Sequence, residues 1–293
     1  IISGFPPGGG VDTLARIFAE RFTEALGRPV IVETRTGAAG VISAQALKAA
    51  PPDGNTLMVA PDSMITLYPH TVSKPAYDTL ADFTAVAHLG GYPIGLAVGA
   101  GNPAAALKEY IGRAKLSAAN ASYGSAGAGT TLHFIGLVIG QATGAPMTHV
   151  AYRGVGPALT DVIGGNVPAV ILPLGTLLPQ ANAGKLRILA HSGSRRSNAA
   201  PNIPTFKELG YPAVEISGWF GLFAPARTPA EIVNRYNAIV IQAERSAATQ
   251  EKLRALDLET REASPAELAA SLKMEYERWG PVVKASGFSA DSQ

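Results

Sequence analysis

Two stretches combine residue types that could hold an anion. One is Phe5-Pro6-Pro7-Gly8-Gly9-Gly10-Val11-Asp12 and the other is Gly124-Ser125-Ala126-Gly127-Ala128-Gly129-Thr130-Thr131-Leu132-His133. Each follows an apolar strand pattern and runs into a helical one. Glycine leaves the backbone bare, and the first N–H groups of a helix have no acceptor within it, so such a start can receive an anion. Neither stretch contains a lysine or arginine. An anion here would rest on backbone amides, the hydroxyls of Ser125, Thr130 and Thr131, and water. One helix dipole supplies about 0.3–1 kcal/mol, whereas micromolar affinity needs about 8 kcal/mol. Several charge-assisted hydrogen bonds at about 1.5–3 kcal/mol each would have to add to it. Glycine is also the default residue of a tight strand-to-helix turn, so the same loops read equally as turns alone. Asp12 could cap its helix or meet a ligand through its backbone. Arg153 could clamp a carboxylate or be an ordinary surface charge.

Other chemistry is poorly supported. Ser125 could act as a nucleophile with His133 eight residues on, but no third, orienting group is evident. The five histidines match no metal-ligand spacing, and only His133 stands out, by its neighbours. No phosphate-binding G-x-x-x-x-G-K-[ST], dinucleotide-binding G-x-G-x-x-G or nucleophile-elbow G-x-S-x-G motif occurs. With no cysteine, thiolate metal sites, disulfides and cysteine nucleophiles are excluded. No catalytic residue, metal or cofactor is expected.

The elements that would position these loops alternate between strands and helices, which argues for parallel α/β sheets. Ile1–Phe5, Val30–Val32 and Leu57–Ala60 read as strands, and a helix carries Leu14, Ile17, Phe18, Phe22 and Leu26 up to Gly27. The pattern restarts after Ile94–Val98, with strands at His149–Tyr152, Val167–Leu172 and Leu186–Ala190. Trp219–Ala224 is a last strand, and Thr228-Pro229-Ala230-Glu231 and Ser264-Pro265-Ala266-Glu267 both read as capping boxes opening helices. The plan is two similar blocks and a helical tail.

Composition agrees. The 293 residues suit two domains, 47% are hydrophobic and 16% charged. That excludes disorder. A net charge of +2 offers little counterion release, so nucleic acid is an unlikely partner. No apolar run approaches the ~18 residues of a membrane span. The opening Ile1-Ile2-Ser3-Gly4-Phe5 reads as the end of a strand, so a preceding leader is expected.

At these residues the sequence resembles the Bug-type periplasmic solute receptors of tripartite tricarboxylate transporters. The matching stretches are FPPGGGVDTLAR (5–16), VETRTGAAGVISAQALKAAPPDGNTL (32–57), YGSAGAGTTLH (123–133), HVAYRGVGPALTDVIGGNV (149–167), AGKLRILA (183–190), NIPTFKELGYP (202–212) and WFGLFAPARTPAEIV (219–233). The resemblance implies an α/β, type II periplasmic-binding-protein fold: two α/β domains around a ligand cleft, with the C-terminal helices packing on the first. The expected domains are 1–95 with 222–293, and 96–221, with crossovers near 94–98 and 219–224. It implies an extracytoplasmic, periplasmic receptor, not an enzyme, that takes a small organic acid or amino acid and delivers it to membrane permease subunits. A monomer is expected. The implied binding residues are Phe5, Pro7, Gly8, Gly9, Gly10 and Asp12; Thr36, Gly37 and Ala38; Ser63; Ser125, Ala126, Gly127, Gly129, Thr130 and His133; and Tyr152, Arg153 and Gly154. Two departures stand out. Arg35-Thr36-Gly37-Ala38-Ala39-Gly40 replaces the usual R-P-G-A-G-G, so that turn could differ in shape. Val170–Gly175 lacks the acidic residue of many members, which leans towards a simple carboxylate over an amino acid. The competing readings are a ligand-sensing module for a signalling partner and a serine hydrolase using Ser125 and His133.

Overall fold

The computed structural model describes residues 1–292. The chain divides into two compact units: Ile1–Gly91 joined by the stretch from Trp219 onwards, and Tyr92–Gly218. These borders precede the sequence-based ones by three or four residues. No turn marks either border, because one strand runs unbroken over Phe83–Gly99 and another over Ser217–Pro225.

In the first unit, β1 (Ile2–Ser3) pairs in parallel with β2 (Glu33–Thr34) on one side and β3 (Met58–Pro61) on the other. The expected strand Val30–Val32 is displaced: the ladder starts at Ile2 opposite Glu33, and Ile31 is 75% exposed. Ile1 still meets this stretch, its nitrogen donating to the Ile31 carbonyl at 2.7 Å and its carbonyl accepting the Glu33 N–H at 2.9 Å. Helix α1 (Gly10–Leu26) buries Leu14, Ile17, Phe18 and Phe22. It ends where Gly27, at φ +65°, donates its N–H to the Thr23 carbonyl. Helix α2 (Val41–Lys48) follows β2. After β3 comes a wide π-type turn, Ser63–Leu67, then the short helices α3 (Tyr68–Thr71) and α4 (Thr79–Asp82) and the long strand β4 (Phe83–Gly99).

The second unit contains α5 (Leu107–Leu116), α6 (Ala118–Ala121), β5 (Ser122–Ser125), α7 (Thr131–Thr143), β6 (Thr148–Ala151), α8 (Val155–Gly164), β7 (Ala169–Pro173), α9 (Leu174–Asn182) and β8 (Leu186–His191). Strand β5 lies between β6 and β7, parallel to both, and β4 runs antiparallel to β7 and β8. Tyr110, Tyr123, Phe134, Ile171 and Leu172 are buried in its core. The fold is therefore the two-domain α/β periplasmic-binding type.

The last strand, β9 (Ser217–Pro225), returns the chain to the first unit, antiparallel to β3 with Leu222 opposite Val59. Helices α10 (Ala230–Arg245), α11 (Ala247–Ala255) and α12 (Pro265–Ser286) pack on that unit. Tyr236 donates to the Gly54 carbonyl at 2.9 Å, Trp219 Nε1 to Glu275 at 2.7 Å, and Leu268 and Leu272 join Met58, Ile65 and Tyr77 in one cluster. Only one of the two expected capping boxes forms. Ser264 and Glu267 satisfy each other's backbone N–H groups at the start of α12. At α10 the Thr228 hydroxyl turns back to the Pro225 carbonyl at 2.8 Å and caps nothing.

Candidate ligand site

In the first unit the loop after β1 is shaped by Asp12. Its buried carboxylate accepts the Gly8 N–H at 3.0 Å and two guanidinium hydrogens of Arg16, at 2.9 and 3.1 Å. The side chain therefore does not cap α1; it closes the glycine loop from within the first turn. The hydrogen bonds from Arg16, aided by Gly8, hold its carboxyl below the usual range against the opposing effect of burial. Phe5 packs against the core cluster, while Pro7, Gly8, Gly9 and Gly10 are exposed. Gly9 donates to the Pro6 carbonyl, so among the candidate amides those of Gly8 and Gly9 are already used. The first amides of α1, Gly10 and Val11, have no acceptor within the helix.

The turn from Thr36 comes next to this loop, for Gly4 lies against Gly40 and Ser43. Its shape is unusual: Gly37, Ala38, Ala39 and Gly40 all have positive φ, at +131°, +46°, +53° and +94°. Ala39 thus occupies a left-handed position that glycine would take without strain. The Gly40 N–H to Gly37 carbonyl bond at 2.9 Å and the Ser43 hydroxyl to Gly40 carbonyl bond at 2.6 Å lock it. Met64, from the wide turn that begins at Ser63, packs on Gly40. Loop 5–12, turn 36–40 and Ser63 are therefore neighbours.

In the second unit the loop after β5 is built on side-chain hydrogen bonds. Thr130 caps α7, its oxygen accepting the His133 N–H at 3.4 Å while its hydroxyl donates to the Gly127 carbonyl at 2.8 Å. Gly129 donates to His133 Nδ1 at 3.3 Å, which leaves that nitrogen as an acceptor. Ser125 is fully buried, and its hydroxyl lies 2.7 Å from His149 Nε2. The partner of Ser125 is thus His149 and not His133. The two imidazoles stack at 4.0 Å and 18°. Burial pushes the His133 pKa down to about 4 and that of His149 to about 3, the second also opposed by the charge His133 would carry. Both rings are neutral at pH 7.

Tyr152–Gly154 closes the same corner. Tyr152 and Gly154 donate their N–H groups to the carbonyls of Ser125 and Ala126 at 3.0 and 3.2 Å. The Tyr152 hydroxyl donates to Asp161 at 2.8 Å, and burial with that carboxylate raises its pKa to about 12. Gly154, at φ +103°, precedes α8, whose first amides at Val155 and Gly156 lack helical acceptors. Arg153 is exposed and has no hydrogen-bond or ion-pair partner among the described residues. His149 escaped sequence reasoning. Its one signal is the register of β5 and β6, where Tyr123 faces His149 and Ser125 faces Ala151, and pairing cannot be read from either strand alone.

The model of the tripartite tricarboxylate transporter family receptor matches residues 14–288. BugT of Bordetella pertussis is 32% identical over 292 residues, 98% of this chain and 88% of that protein. A solved periplasmic transporter structure is 33% identical with a TM-score of 0.86, covering 98% of this chain and 96% of that one. MatC of Rhodopseudomonas palustris, solved with bound malate, is 30% identical with a TM-score of 0.82, covering 96% and 97%. Members of this family are solute receptors, and the chain is a receptor and not an enzyme. The chain belongs to the tripartite tricarboxylate transporter family of receptors.

Proposed function

We propose that this receptor works in the periplasm, captures a small carboxylate through backbone amides, hydroxyls and waters, and delivers it to membrane permease subunits. The observation that carries the reading is the start of α1. Three exposed glycines lead to amides with no helical acceptor, and a methyl group added at Gly8, Gly9 or Gly10 would meet no atom closer than 3.4 Å. Backbone can therefore approach a ligand oxygen directly. The corner formed by Ser125–Thr130 and Tyr152–Gly154 offers a second set of donors, with Arg153 uncommitted beside it. MatC with its malate supports the ligand class, and the periplasmic relative supports the compartment. Mass spectrometry of small molecules released from the purified, denatured protein tests the reading. A carboxylic acid is expected; a neutral or purely cationic molecule would overturn it.

A further inference from the structure

Charge is divided unevenly along the chain. The second unit, Tyr92–Gly218, carries nine basic and four acidic side chains, whereas the rest of the chain carries fifteen and eighteen. Among the described residues, only Arg196 and Lys207 of that unit's cations form ion pairs, with Glu208 and Glu215. No acidic residue occurs between Glu109 and Asp161. Five of the unpaired cations gather on and around α5. Leu107, Tyr110, Ile111 and Ala114 form the buried side of this helix, which leaves Lys108, Arg113 and Lys115 exposed. Lys108 and Lys115, seven residues apart, lie on one side of it, about 10 Å apart along the axis. Arg187, also exposed, reaches the loop ahead of α5 and donates to the Ala104 carbonyl at 2.7 Å. The exposed Lys185 stands at the start of the same loop, its carbonyl holding the Ala100 N–H at 3.1 Å. Glu109, the one carboxylate of the helix, accepts the Ala105 N–H at 2.7 Å.

We infer that this face docks on an anionic phospholipid bilayer. The cations call for an anionic partner, and Leu116 decides which kind. It ends α5, directly after Lys115, and at 82% it is the most exposed large apolar side chain among the described residues. Ala118 and Ala119, just beyond it, are exposed as well. The Lys115 ammonium lies beside Gly144 at the end of α7, where the helix terminus favours a positive charge, so the cation is held next to the leucine. A protruding apolar side chain with basic residues around it matches a headgroup layer, which presents phosphates above hydrocarbon. An acidic protein segment would reward the cations alone and leave Leu116 in water. Among the described residues no helix is long and apolar enough to cross a membrane, so this attachment is peripheral. Each lysine or arginine near an anionic leaflet raises partitioning about fivefold, so several together give reversible adsorption. The surface lies wholly in the second unit and uses none of the candidate ligand loops. It brings the receptor to the plane in which the proposed permease sits.

The test is sedimentation of the full chain with vesicles of phosphatidylcholine alone, and of phosphatidylcholine and phosphatidylglycerol in about equal parts, at low salt. The parent should partition at least tenfold more strongly onto the anionic vesicles. The exposed triple variant Lys108→Glu, Arg113→Glu, Lys185→Glu should lose at least tenfold of that binding with its melting temperature kept. Lys74→Glu, Arg235→Glu, Lys284→Glu makes the same change in net charge with exposed, unpaired residues outside this unit, and should stay within threefold of the parent. Leu116→Ser should weaken binding at least threefold. No preference for anionic vesicles, an equal loss in both triple variants, or unchanged binding of Leu116→Ser would each overturn the inference. Poly-L-glutamate serves as a last probe: binding to it without binding to anionic vesicles would overturn the lipid assignment in favour of an acidic protein partner.

Discussion

Ser125 and His149 hold each other at 2.7 Å from neighbouring parallel strands, with the His149 ring stacked on His133. The bond fixes the serine hydroxyl inside the second unit, where it is fully buried. A buried serine tied in this way braces the loop that follows it, Gly127–Thr130. Ser125→Ala removes the bond and strands one imidazole nitrogen. The expected cost is about 1 kcal/mol, a fall of about 2–4 °C in melting temperature. An unchanged melting temperature would show that the pair contributes no bracing.

Acid stability follows from the histidines. His88, His133 and His149 titrate at about 4, 4 and 3 in the folded chain, against 6.5 for an unburied imidazole, because burial disfavours their charged forms. The folded state is short of protons relative to the unfolded state below pH 6.5. Their contribution is therefore fully present above pH 6.5 and is lost as the pH falls towards 4, at about 1.4 kcal/mol per pH unit for each group. Urea melts at pH 7, 5.5 and 4.5 should show this slope, and His149→Gln should flatten it. An identical slope in the variant would contradict the assignment.

Glu244 acts in the opposite direction. It is buried on α10 with neither carboxyl oxygen partnered, and burial, reinforced by Glu262, raises its pKa to about 8. The unfolded chain releases this proton from about pH 4.5 and the folded chain does not. Stability from this group is present below that pH and is lost as the pH rises to 8. Glu244→Gln should make the protein more stable at pH 8.5 than the parent, with the gain shrinking towards pH 5. Equal stabilities at pH 8.5 would place a partner at the carboxyl.

The glycines separate binding from folding. Gly9 has φ −77°, and an added Cβ there would meet only the Pro6 carbonyl at 3.4 Å; at Gly127 it would meet only Thr130 Cγ2 at 3.4 Å. Gly9→Ala and Gly127→Ala should fold normally and lose at least tenfold in ligand affinity. By contrast, Gly136→Ala would drive a methyl group into the ring of the buried Tyr123, a collision costing about 1–3 kcal/mol or more. Full affinity in both Gly9→Ala and Gly127→Ala would move the ligand away from these loops.

Ala39 offers a stabilising change. At φ +53° and ψ +33°, in a run of four positive φ values, it carries a Cβ where glycine has none. Ala39→Gly should raise stability by about 0.5–1 kcal/mol, read as a higher urea midpoint at constant slope. A lower midpoint would mean that the left-handed conformation costs less than the extra chain entropy.

How far these features could be read in the sequence depended on whether they were local. The stripe of Leu14, Ile17, Phe18 and Phe22 and the box of Ser264 and Glu267 depend on residues three or four apart, and both formed as read. Thr228 shows the same spelling, yet its hydroxyl is drawn to the Pro225 carbonyl by the buried end of β9. Val30–Val32 has strand-like residues, but the ladder with β1 is made by Glu33 and Thr34, a register that neither stretch spells out alone. The glycine loops were visible by composition. What they do with their amides was not, because Asp12, Arg16 and His133 take part of the donor and acceptor supply only once the turns have closed. His149 was hidden for the same reason: its role comes from a strand neighbour 24 residues away.

The measurement that bears most directly on the receptor reading is a thermal-shift and calorimetric comparison of mono- and dicarboxylates with their own amides, from acetate and succinate to adipate. Donor amides and the exposed Arg153 guanidinium reward negative charge. At least one free acid should raise the melting temperature and bind measurably, while its amide binds at least tenfold more weakly. Equal shifts and equal affinities for acid and amide would contradict a site built to hold a carboxylate.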